Sequence, residues 1–163
     1  MNMDNKYVSV CFTGHRDVKK YDEVYNRTIN AVENLINKGY FYFYVGGALG
    51  FDMLAANVVI NLKSKYPQIK LILALPFREP WKVEKTWTDN DILDYNATLE
   101  KTDRIIFINE QYKRGCYYER NRFLVDNSNI CIAYQRRKSG GTAYTVDYAQ
   151  KHQISVINLA KEV

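Results

Sequence analysis

The residues of this chain best suited to chemistry on a phosphate are a histidine beside an arginine and glycines that stand just before a change of hydrophobic pattern. They fall in Thr13-Gly14-His15-Arg16, in Gly46-Gly47-Ala48-Leu49-Gly50-Phe51-Asp52 and in Ser139-Gly140-Gly141-Thr142. A glycine pair opening a helix lets backbone amides approach an anion closely, and the positive end of the helix dipole adds attraction. A guanidinium pairs with a phosphate, and an imidazole can donate to one. The plainer roles are also open: His15 closing a turn, Arg16 covering a helix end, and glycines serving only tight turns. Carboxylates that could act as acid or base are Asp52, Glu119, Asp126 and Asp147, and spacing alone does not choose among them.

These runs matter because of where the surrounding pattern puts them. Short β-rich runs alternate with helical patterns along the whole chain, which argues for a parallel sheet with helices on both faces. The strands read as Tyr7 to Phe12, Tyr40 to Val45, Lys70 to Leu75, Arg104 to Ile108, Ile130 to Tyr134 and Ile154 to Leu159. Helices read from about Asp22 to Lys38, Phe51 to Tyr66, Thr88 or Asp89 to about Lys101, Tyr117 to Asn127, and Thr142 to His152. Lys70 to Leu75 is nearly all apolar, as a strand covered on both faces should be. The expected fold class is thus α/β: a Rossmann-like, doubly wound, mainly parallel sheet of about six strands, in one domain spanning 1–163. In such sheets ligands bind beyond the carboxyl ends of the strands, and all three runs follow strands.

Composition narrows the function classes. With 163 residues, of which 47% are hydrophobic and 25% charged, the chain has the make-up of a soluble domain. No apolar run approaches the roughly 20 residues that cross a bilayer, and Met1 to Lys6 is polar, so no membrane partner and a cytoplasmic location are expected. The three cysteines include no CxxC pair; Cys11 and Cys131 lie in strand-like runs and Cys116 in a polar loop, which predicts reduced, mostly buried thiols. There is no HExxH, no zinc spacing of cysteine and histidine, no GxSxG, no GxxxxGK[ST] and no complete GxGxxG. Neither a metal nor a cofactor is expected. The net charge of +5 is modest, but Lys113, Arg114, Arg120, Arg122, Arg136, Arg137 and Lys138 gather in the last third, where they serve an anionic ligand or form a solvated basic face.

Three further features carry two readings each. Glu119 with Arg122, or Arg122 with Asp126, can pair along a helix, while a helix start bearing Arg120 and Asn121 suits ribose and phosphate recognition. Trp81 or Trp87, in or near a proline-bounded loop, could stack on a base or pack against the domain. His152 reads as a solvated residue at a helix C-terminus.

Taken together, Phe12-Thr13-Gly14-His15-Arg16, the run from Gly46 to Asp52 with Leu54-Ala55-Ala56, Leu75-Pro76-Phe77, Arg120-Asn121 with Asp126, and Gly140-Gly141-Thr142 with Val146 and Ala149 resemble the SLOG superfamily. This is the Rossmann-like group related to DprA and to the LOG cytokinin-activating proteins. Within it, the chain is similar to the YpsA-like family, which has phage-borne YoqJ-like members. The resemblance implies a nucleotide-derived ligand, ADP-ribose derivatives included, held by Gly14, His15, Arg16, Gly46, Gly47, Ala48, Gly50, Asp52, Phe77, Arg120, Asn121, Gly140, Gly141 and Thr142. LOG enzymes cleave a base from a ribose monophosphate with a PGGxGTxxE loop. Here Thr142 is followed by Ala143 and Tyr144, and no carboxylate holds the place of that glutamate. Three functions follow as expectations. The first is a sensor or sequestering protein for a nucleotide-derived signal in phage–host conflict. The second is an N-glycosidic hydrolase using Glu119, Asp52 or Asp126, and the third is DprA-like binding of single-stranded nucleic acid. Nucleic acid is the less expected partner, because the basic residues flank glycine loops instead of interleaving with aromatics. Homo-oligomers are expected from the relatives.

Overall fold

Alternation of buried-strand and amphipathic-helix patterns produces the expected layers. The computed structural model describes residues 3–160. Six strands, β1 (Ser9–Gly14), β2 (Tyr42–Val45), β3 (Lys70–Leu75), β4 (Arg104–Phe107), β5 (Ile130–Tyr134) and β6 (Ser155–Asn158), form one sheet in the order β4-β3-β2-β1-β5-β6, with every neighbouring pair parallel. Between them run α1 (Tyr21–Asn37), α2 (Phe51–Leu62), α3 (Asp89–Glu100), α4 (Cys116–Asp126) and α5 (Gly141–Lys151). Short 3-10 turns occupy Met3–Val8 and Pro80–Lys82.

Successive residues of a strand face opposite sides, and the two cores follow that rule. Val10 and Phe12 of β1 pack with Phe43, Leu71 and Leu73 against Val24 and Val32 of α1 and Leu54 and Val58 of α2. Cys11, between them, joins Tyr44 and Ile72 against Leu124 and Val125 of α4 and Ala149 of α5. Each large apolar side chain taken fully out of water in this way contributes about 1.5–3 kcal/mol. The central strands are buried on both faces, whereas β4 and β6, at the edges, are only partly covered.

The chain winds outward from β1 to β4 with α1, α2 and α3 on one face. It then returns to place β5 on the other side of β1, with α4 and α5 on the opposite face. The order therefore reverses between β1 and β5. The loops that leave their carboxyl ends turn to opposite faces and open a cleft between them.

Several boundaries differ from the sequence reading: β2 begins at Tyr42 and not Tyr40, and α2 ends at Leu62 and not Tyr66. Tyr7 and Val8 belong to the first 3-10 turn, and β1 instead runs on through Thr13 and Gly14. The partner strand explains it: β5 pairs with β1 only from Val10, opposite Ile130, to Gly14, opposite Tyr134. Cys116, assigned to a polar loop, is the first residue of α4 and is fully buried. Among the described residues, no helix is long and apolar enough to cross a membrane.

Candidate functional site

The floor of the cleft is set by glycines whose missing Cβ atoms make room for this protein's own side chains. A Cβ on Gly14 would overlap the Phe51 ring, and that ring lies stacked on Tyr134 at 5.8 Å. Gly50, with φ 82, lets the start of α2 press against the Arg16 backbone, and Phe51 N–H donates to the His15 carbonyl at 3.1 Å. The loop after β1 is thereby locked onto α2.

His15 ties that loop to the one after β5. Its Nε2 accepts from the backbone N–H of Arg136 at 2.8 Å and of Arg137 at 3.2 Å, while the His15 backbone N–H donates to the Tyr134 carbonyl at 3.3 Å. An Nε2 that accepts two N–H bonds carries no proton, so the ring is neutral with its hydrogen on Nδ1. Burial and the nearby Arg137 charge lower the histidine pKa and hold that state. Nε2 is thereby committed to fastening the turn, the plainer of the two roles open to His15, and Nδ1–H is left as the ring's donor. Asp17 completes the fastening by bridging Arg136 at 2.7 Å and Arg137 at 2.9 Å, and these guanidiniums hold its carboxyl well below the usual range.

The opposite wall comes from α4. Arg120 is only 6% exposed; its Nη1 donates to the Gly46 carbonyl and its Nε to Asn121 Oδ1 at 2.8 Å. Among the described residues no carboxylate forms an ion pair with it within 4 Å. Its nearest counter-charge is Asp52, which accepts from Ala48 N–H at 3.0 Å. Burial raises the Asp52 pKa, opposed by Arg120, by that amide and by Arg16. A Cβ on Gly46 would stand 2.7 Å from Arg120 Nη1, so glycine is required there to admit the guanidinium.

The remaining wall is the amino end of α5. Gly140, with φ 94, has open space where a Cβ would project, and Gly141 has only Asn121 Nδ2 near, at 3.9 Å. No side chain caps this helix, so its first amides and dipole face the cleft. Because Arg120 Nε holds Asn121 Oδ1, the Asn121 amide nitrogen is turned toward the same turn. The result is a hollow of about 460 Å³ lined by Gly14, His15, Arg16, Ala48, Asp52, Arg120, Asn121, Gly140, Gly141 and Thr142, together with Thr13, Arg137 and Ser139. Asp17 and Tyr117 also line it and were not singled out from sequence. Asp17 lies three residues after Gly14 in the same loop, which was the available signal.

Other predicted residues lie elsewhere. Gly46 and Gly47 border a separate recess of about 10 Å³, and Gly47, with φ 77, packs on Leu75. The glycines of the second run thus admit Arg120, Leu75 and the Arg16 backbone, while Ala48 and Asp52 of the same run line the cleft. Phe77 is buried against Tyr112 at 5.5 Å and Tyr117 at 5.8 Å, away from the cleft lining. Trp81, Trp87 and Tyr95 meet edge-on or tilted at 5.3–5.9 Å, the packed alternative for the tryptophans. Of the four carboxylates considered, only Asp52 reaches the cleft. Glu119 faces Lys113 at 3.7 Å, Asp126 accepts from Tyr148 Oη at 2.8 Å, and Asp147 pairs with Lys151 at 2.9 Å. Arg122 donates to Tyr144 Oη at 3.0 Å instead of pairing with Glu119 or Asp126.

The chain is similar to known proteins in sequence and in fold. The YpsA family model, described as the YspA SLOG family, matches residues 11–160. The SPbeta prophage-derived protein YoqJ of Bacillus subtilis strain 168 is 31% identical over 139 residues, covering 77% of this chain and 80% of that protein. A UPF0398 protein of Halalkalibacterium halodurans is 31% identical over 142 residues, covering 85% of this chain and 72% of that protein. Among solved structures, DNA processing protein A from Helicobacter pylori, described for its single-stranded DNA binding mode, aligns with a TM-score of 0.65 and 21% identity. The alignment covers 94% of this chain and 65% of that one, and at such identity it shows a shared fold alone.

Proposed function

Because this chain belongs to the YpsA SLOG family, we propose that the cleft between the loops after β1 and β5 binds the phosphate of a nucleotide or nucleotide-derived signal, as a sensor or sequestering protein. An ADP-ribose derivative is the ligand class we favour, and phage–host conflict the setting, in keeping with the prophage-derived relative. One observation carries the reading: a buried guanidinium, Arg120, without an ion-paired carboxylate, shares a hollow with the uncapped amino end of α5. Burying a cation costs several kcal/mol unless an anion compensates it. A phosphate seated between Arg120, Asn121 and the Gly140–Gly141 amides supplies that compensation and gains charge-assisted hydrogen bonds.

Binding is favoured over hydrolysis because Asp52 is the single carboxylate among the four candidates on the lining, and its Oδ2 is engaged by the Ala48 amide. Calorimetry and thermal shift with AMP, ADP, ADP-ribose and cyclic ADP-ribose isomers test the proposal, with chromatography of the recovered ligand. Uptake and unchanged release are expected. A ligand at a hundred times its dissociation constant stabilises by about 2.7 kcal/mol. Release of free base at a catalytic rate, abolished in Asp52→Asn, would replace the sensor with the hydrolase.

A second reading, in which the same cleft seats a phosphate of single-stranded nucleic acid, draws on the Helicobacter pylori protein of like fold. It requires affinity that grows with strand length and falls steeply with salt, and a mononucleotide preference in the same assay excludes it.

A further inference from the structure

Arg16 stands on a ridge between two hollows. One is the phosphate cleft; the other, of about 570 Å³, lies over α2 between the start of α1 and α3. Arg16 lines both. Its side chain is 47% exposed and pairs through Nη1 with Glu84. A guanidinium has five donors, so this pairing leaves others for an anion lying across the ridge.

The second hollow has a different chemistry from the first. Leu49, Met53 and Ile60 give it an apolar floor, and Tyr21, hydrogen-bonded to Asn57, stands beside it. Asp91 and Asp94 add carboxylates, but Asp91 is committed to the α3 cap, where it accepts from Thr88 N–H at 2.9 Å. That leaves Asp94, on the exposed side of α3, beside Asn57. A carboxylate and an amide over an apolar floor fit a sugar ring, whose hydroxyls donate to the carboxylate, and Lys101 on the same lining balances the charge of Asp94.

The geometry points to a bipartite ligand, an inference that rests on the phosphate-site reading. Its diphosphate runs from the cleft to Arg16, and its distal ribosyl or nucleoside half occupies the hollow beside Asp94 and Asn57. Such a ligand gains contacts that a mononucleotide lacks, and the gain belongs to α2 and α3 instead of to α4 and α5.

Calorimetry of the whole protein with ADP and with ADP-ribose tests this. ADP-ribose is expected to bind about tenfold or more tightly than ADP, the effect of one added charge-assisted hydrogen bond. In Asp94→Ala the ratio of the two affinities should fall to near unity, and in Asn57→Ala it should fall by a smaller factor. Both residues are exposed, and neither the Thr88–Asp91 cap nor the core is touched. Equal wild-type affinities, or a ratio that survives both substitutions, overturn the second subsite and leave the phosphate site standing. Failure of both ligands to bind the wild type overturns the phosphate reading and the subsite with it.

Discussion

Protonation of His15 should loosen the rim of the cleft, and the size of the effect can be worked from its contacts. Its Nε2 is the shared acceptor for two backbone amides at 2.8 and 3.2 Å, the residue is 5% exposed, and Arg136 and Arg137 stand near. Burial first, then the Arg137 and Arg136 charges against the opposing pull of Asp17, lower the folded pKa below the ordinary 6.5 of a histidine. Below 6.5 the unfolded chain takes up the proton first, so it binds more protons than the folded one. Stability from this group is thus fully present above 6.5 and is lost as pH falls toward the folded pKa, at up to about 1.4 kcal/mol per pH unit. Urea unfolding of the wild type and of His15→Gln, from about pH 8 to about pH 5, isolates the term, since the remaining ionisable groups are common to both proteins. At the upper end the variant should be less stable by about 1 kcal/mol, the worth of a hydrogen bond to a partly buried amide. The gap should narrow as pH falls. A gap that stays constant across the range would refute the neutral-acceptor assignment.

Three substitutions probe the rest of the cleft. Gly14→Ala forces a methyl into the Phe51 ring and should lower stability by about 1–3 kcal/mol in chemical denaturation, because that ring is trapped between Phe12 and Tyr134. Gly141→Ala meets only ordinary contact with Asn121, so stability should hold or rise by roughly 0.4–1 kcal/mol while the ligand-induced thermal shift shrinks, its methyl filling the proposed phosphate seat. Arg120→Met should abolish the thermal shift given by ADP-ribose; a full shift in that variant removes the guanidinium from the site.

How much was legible in the sequence depends on whether the deciding contact was local. The run Lys70–Leu75 is apolar throughout and became β3, covered on both faces, with no knowledge of its neighbours needed. Asp22 to Lys38 declared its buried stripe by spacing, and Val24, Thr28, Val32, Leu35 and Ile36 are the residues that α1 buries. The glycine runs were legible as places of close approach but not as to what approaches. At Gly140 and Gly141 the space is open; at Gly46, Gly47 and Gly50 it is taken by Arg120, Leu75 and the Arg16 backbone. Those partners are distant in sequence, and period and propensity carry no information about them.

Order of elements and the parallel sheet were determined by sequence alone, because hydrophobic period and chain connectivity are local properties that restrict how a sheet can be wound. Only tertiary structure decided that His15 Nε2 accepts from the Arg136 and Arg137 amides, that Asp52 alone among the candidate carboxylates reaches the cleft, and that Arg120 is buried against Gly46. Each of these depends on where helices from opposite faces of the sheet meet. Packing sets that meeting point across 74 residues of chain in the case of Arg120 and Gly46.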